Sequence, residues 1–139
     1  ANGAPAEAAT LSGVARLVQR GTFAVPSFTM TSGPVPESLG KGYVKGPAAE
    51  SAEERASLAA LYCAQMVSEQ LDAITSKDDI IVDGPFSQNP VLLAVLAALR
   101  PQQRVQASAL RDGTTAGAAA LAMNPHELDD PPHPLKAFN

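Results

Sequence analysis

Residues 79–123 alternate short apolar strand-like runs with helical stretches, and that order leaves few folds open. The first run, Ile80-Ile81-Val82, is continuously apolar, which predicts a central strand covered on both faces. Asp83-Gly84-Pro85-Phe86-Ser87-Gln88 then reads as a tight turn. Asn89 is placed to cap the next helix, with Pro90 at its first position, where a missing N–H costs nothing. That helix (VLLAVLAALR) is apolar nearly all round, so burial is expected, and Pro101 stops it. Residues 104–108 read as a second strand, and Asp112-Gly113-Thr114-Thr115 opens a last helix through about Met123. Strand, helix, strand, helix in this order implies a parallel pair with a right-handed crossover. The loops at 83–89 and 108–114 then open on one edge of the sheet, where open α/β sheets bind ligands. A helix N-terminus on that edge offers unpaired N–H groups to an anion.

Upstream, Leu11, Val14, Leu17 and Val18 give a short helical stripe that Gly21 can end. Residues 22–31 have strand composition, but Pro26 restricts them to an edge strand or two short strands. Residues 32–48 are rich in Gly and Pro and read as a loop. Ser51-Ala52-Glu53-Glu54 is a capping box: Ser51 takes the Glu54 N–H and Glu54 reaches back to the Ser51 N–H. A helix should follow to about Ile74, with Leu61, Ala64, Val67, Leu71 and Ile74 on one buried stripe. From Asn124 the chain turns polar and proline-rich, as expected of a surface or disordered tail, so the division is residues 1–123 and a tail at 124–139.

A chain of 139 residues suffices for one domain with a real core. Its ten basic residues are scattered and the formal charge is -4, which argues against nucleic acid as a partner. The single cysteine, Cys63, excludes an internal disulfide and fits a reducing, cytoplasmic setting. No apolar run reaches transmembrane length, and Ala1-Asn2-Gly3-Ala4-Pro5 is not a signal peptide. The missing initiator methionine points to a processed start or to a piece of a longer protein.

Neither nucleotide fingerprint is present. Gly40-Lys41 is followed by Gly42, Val35 stands where a Walker loop needs its first Gly, and no G-x-G-x-x-G follows a strand. The pattern that does stand out is Ile80-Ile81-Val82-Asp83-Gly84, then Asn89, the apolar helix from Val91 to Leu99, and Gly117-Ala118-Ala119. In that order, after the capped helix at 51–74, it resembles the C-terminal, nucleotide-binding domain of the FGGY carbohydrate kinases. The resemblance spans about residues 50–123 and is weak before them. It implies an α/β fold of the actin-like ATPase and ribonuclease H-like kind, with a βαβα core and flanking helices.

The resemblance also implies a role: part of the ATP site of an enzyme that phosphorylates a sugar or polyol hydroxyl with MgATP. Gly84, Pro85, Asn89 and Asp83 would be the cofactor-binding residues, with ATP and Mg as cofactors of the intact enzyme. The family's catalytic aspartate lies in a Gly-Asp motif, and no Gly-Asp dipeptide occurs in this chain. Its sugar site lies mainly against the N-terminal domain. No catalytic residue is therefore assigned, and the chain alone should be inactive. Pro85 stands where many members have a second Gly and cannot donate an N–H to phosphate, though a rigid Gly-Pro turn can still hold adenine or ribose by contact. The rival reading is a non-catalytic α/β interaction module docking on a protein partner; either reading allows self-association.

Each candidate also has a plain structural reading. Gly84 and Pro85 can simply make the turn, Asn89 can be cap and ligand contact at once, and Asp83 can orient a ribose hydroxyl or only the turn backbone. The small residues of Gly113 to Ala119 suit close helix–sheet packing. Cys63 lacks a nearby basic residue and reads as a packing residue. His126 and His133, with Asp129 and Asp130 between them, lack a recognised metal-ligand spacing. Glu53, Glu54 and Arg55 read as the solvated, dipole-complementing start of a helix.

Overall fold

The two predicted caps set where the helices begin. In the computed structural model, which describes residues 9–31, 33–108, 113–123 and 135–138, Ser51 Oγ accepts the Glu54 N–H at 3.0 Å and starts α2 (Ala52–Ala73). Glu54 closes the motif by reaching back past Ser51: its carboxylate accepts the Glu50 N–H at 3.0 Å, with the Ser51 N–H also acting on it. Asn89 Oδ1 accepts the N–H groups of Val91 and Leu92, both at 3.1 Å, and starts α3 (Pro90–Leu99).

Residue contacts group the chain into two compact units, 1–76 and 77–139, where length suggested one domain. In the first unit, Thr10 caps α1 (Leu11–Gln19) by accepting the Gly13 N–H at 2.9 Å. Gly13, Val14 and Leu17 are its buried face, while Leu11 and Val18 of the expected stripe are exposed. β1 (Phe23–Val25) ends before Pro26 and pairs antiparallel with β2 (Tyr43–Lys45), Ala24 opposite Val44. β2 lies inside the stretch expected to be loop, as does a 3₁₀ turn at Pro36–Ser38.

Along α2, full burial stops at Ala64: the buried residues are Ala56, Ser57, Leu58, Ala60, Leu61 and Ala64. The expected stripe fails beyond it, for Val67 and Leu71 are half-buried and Ile74 is 71% exposed. The helix ends in a Schellman motif. Thr75 sits at φ 54, its N–H donates to the Asp72 carbonyl and that of Ser76 to Leu71, each at 2.9 Å. A β-branched residue there is strained.

The second unit is the βαβα arrangement with an added strand. β3 (Ile80–Val82) and β4 (Val105–Ser108) pair in parallel, Ile81 opposite Gln106. Residues 135–138, within the segment read as a tail, instead form β5 (Leu135–Phe138), antiparallel to β4. The sheet order is β3-β4-β5, so β4 is central and every one of its residues is buried. β3 is therefore an edge strand among the described residues, which corrects the expected two-sided burial: Ile80 is buried and Ile81 is 58% exposed.

Leu93 and Leu96 of α3 and Val105 of β4 are fully buried. Truncating Leu93 or Leu96 to Ala should cost about 2–5 kcal/mol. α4 (Gly113–Met123) follows β4. Of the small residues expected to pack, Gly117, Ala118 and Ala119 are exposed, and a Cβ on Gly117 would meet nothing within 4 Å. Asp112, and His126, Asp129, Asp130 and His133, lie outside the described residues.

Candidate functional site

The turn after β3 is a 3₁₀-helix, Gly84–Gln88, rather than a simple bend. Asp83 precedes it in extended conformation with its side chain exposed and making no capping bond. Gly84 takes φ 69, where an L side chain is strained, and a Cβ there would meet no atom within 4 Å. The glycine is thus required by backbone conformation, and open space lies above it. Pro85 is exposed at the start of the 3₁₀ turn and brings no N–H.

The remaining polar groups of the turn bond to one another. Ser87 is buried and its Oγ donates to the Gly84 carbonyl at 2.8 Å. The Gln88 amide donates to Ser87 Oγ at 3.2 Å, and the Asn89 N–H donates to the Phe86 carbonyl at 3.1 Å. Asn89 Oδ1 already accepts two N–H groups from α3, while its amide N–H₂ takes no part in the cap. With Pro at the first helical position and the next two N–H groups taken by Asn89, the start of α3 is closed to an anion.

Sequence reasoning placed Asp83, Gly84, Pro85 and Asn89 together, and the structure has them on one turn at the carboxyl end of β3. It gave no weight to Phe86, which is 58% exposed in the middle of that turn. Because β3 and β4 are parallel neighbours, both strands end on the same edge of the sheet. A groove of about 640 Å³ lies elsewhere, lined by Ala94, Ala97, Ala98, Pro101 and Arg104, at the C-terminal end of α3 and hence on the amino edge of β4.

The other candidates have structural roles. Glu53 bonds both Arg16, at 2.7 Å, and the Thr10 hydroxyl, so it joins α2 to α1 instead of facing water alone. Glu54 pairs with Arg20 at 3.0 Å, and that guanidinium, with the Glu50 and Ser51 N–H groups, holds its carboxyl below the usual range. Arg55 donates to the Glu50 carbonyl. Cys63 is half-buried, and burial pushes its thiol pKa up, away from the thiolate a nucleophile needs. Among the described residues, no three His, Cys, Asp or Glu side chains gather as a metal site, and no helix is long and apolar enough to cross a membrane.

The model of the carbohydrate kinase FGGY C-terminal domain matches residues 1–131, so the resemblance reaches the first unit as well. A solved structure, a carbohydrate kinase from Novosphingobium aromaticivorans, aligns with a TM-score of 0.73 and 28% sequence identity. The alignment covers 93% of this chain and 26% of that one, so the chain spans about a quarter of the solved enzyme. No curated protein sequence matches. The mixed α/β fold with its βαβα core agrees with the fold class that the resemblance implied. The chain belongs to the C-terminal domain family of the FGGY carbohydrate kinases.

Proposed function

We propose that residues 1–123 are part of the C-terminal, ATP-side lobe of a carbohydrate kinase that phosphorylates a sugar or polyol hydroxyl in the cytoplasm. Bound MgATP supplies the phosphoryl group and the charge neutralisation for such a transfer. The observation that carries the assignment is the turn itself: an open positive-φ glycine and a proline on the ligand-binding edge of a parallel strand pair. Gly84 leaves room for a ligand to approach the backbone, and Pro85 offers a rigid contact surface. The free amide N–H₂ of Asn89 is available as a donor, and the exposed Asp83 carboxylate as an acceptor for a ribose hydroxyl.

These residues fit the adenosine part of the cofactor. They do not fit its phosphates, for which Pro85 has no donor, nor Mg, for which Asp83 is a lone carboxylate among the described residues. With no Gly-Asp motif in the sequence, proton abstraction from the sugar falls to other parts of the enzyme.

ADP should bind the 139-residue chain, and Gly84→Ala should weaken it while the protein stays folded by circular dichroism. Sugar-dependent ATP turnover by the chain alone would contradict the account. The interaction-module reading draws on the exposed Phe28, Met30, Tyr43 and Val44 of the first unit. It predicts no ADP binding at millimolar concentration.

A further inference from the structure

The 83–89 turn keeps most of its polar groups for itself and shows an aromatic ring to solvent. Ser87, Gln88, the Asn89 Oδ1 and the Asn89 N–H are all engaged within the turn or with α3. Pro85 has no N–H, and the exposed Asp83 carboxylate repels a phosphate at the same place. What faces outward is Pro85 and the Phe86 ring. The backbone beneath that ring is pinned from both sides, by the fixed φ of Pro85 and by the hydrogen bond from Asn89 to the Phe86 carbonyl. A large apolar ring held outward on a rigid turn, next to open space over Gly84, suits a flat heteroaromatic partner and not an anion.

We infer that Phe86 is the stacking face for the nucleobase, and that this turn recognises the nucleoside independently of its phosphates; the inference rests on the ATP-side reading above. Two consequences separate it from a phosphate-gripping turn. Hydrogen bonds to a phosphate would favour ADP over adenosine by roughly tenfold or more, whereas stacking alone leaves the two alike. Loss of base–aromatic stacking should weaken adenosine and ADP equally, by roughly fivefold to a hundredfold.

The test is saturation-transfer NMR titration of the 139-residue chain and its Phe86→Ala and Phe86→Trp variants with adenosine and with ADP. Thermal melts confirm that each variant folds, as an exposed ring should allow. Equal binding of the two ligands by the unsubstituted chain, equal weakening in Phe86→Ala and retention in Phe86→Trp support the inference. ADP binding at least tenfold tighter than adenosine, or Phe86→Ala binding both as the unsubstituted chain does, overturns it and leaves the ATP-side reading standing. If the unsubstituted chain binds neither ligand, the ATP-side reading itself falls.

Discussion

Two glycines, Gly13 and Gly84, separate the two kinds of surface in this molecule. At Gly13, on α1, an added Cβ would collide with Ser57 Oγ and crowd Glu53 and Thr10. Every polar group around it has a defined partner: the Thr10 N–H donates to Ser57 Oγ at 3.1 Å, Ser57 Oγ donates back to the Thr10 carbonyl at 3.3 Å, and Thr10 and Arg16 both donate to Glu53. At Gly84 an added Cβ would meet nothing, and Phe86 and Ile81 nearby in sequence are exposed. A glycine closed in on all sides marks helix packing. A glycine the backbone demands, with open space above it and exposed apolar neighbours, marks a surface shaped for something else.

The comparison breaks most readily at Gly13. Gly13→Ala should destabilise the protein by about 1–3 kcal/mol in urea unfolding, because the added methyl fits only if Ser57 Oγ moves and gives up its hydrogen bonds with Thr10. A loss below about 0.5 kcal/mol, the range of an ordinary surface change, would mean that the α1–α2 contact is looser than described. Next comes Asn89→Ala, expected to cost about 1 kcal/mol through the lost cap, with Asn89→Ser keeping most of the stability. If Asn89→Ser keeps stability but loses ADP binding, the amide N–H₂ has a ligand role beyond the cap.

Thr75→Gly runs the other way. Removing the Cβ from a left-handed position should raise stability by about 1 kcal/mol, read as a higher midpoint of unfolding. The smallest effect is electrostatic. The Glu54 carboxyl lies below its ordinary value of 4.5 in the folded protein, chiefly through its hydrogen bond to Arg20. Its contribution is therefore present above that value and is lost as pH falls through the lower folded one. Glu54→Gln should flatten the acid limb of the stability–pH curve, and an unchanged limb would remove the Arg20 pairing from the account.

Local signals in the sequence carried further than tertiary ones. The caps at Ser51 and Asn89 were legible because a cap is made by residues two or three apart. The parallel pair was legible from element order. β2 was hidden because a three-residue strand among glycines has no periodicity of its own, and only pairing with β1 defines it. β5 was hidden for the same reason, its strand character coming from β4. An apolar triplet shows that a strand exists but not where it sits in the sheet, so it does not reveal that β3 is an edge among the described residues and leaves Ile81 exposed. Glu53 and Glu54 looked like a solvated face because their partners, Arg16 on α1 and Arg20 just past its end, are distant in sequence. At the candidate site the sequence marked the turn, but nothing in it revealed that Phe86 points outward.

The most direct test of the central claim is an ADP titration followed by amide chemical shifts across both surfaces. The ATP-side account predicts shifts concentrated at Gly84, Phe86 and Asn89, with Gly13 and Ser57 unmoved. Shifts centred on the α1–α2 face, or none at any amide up to millimolar ADP, would contradict it.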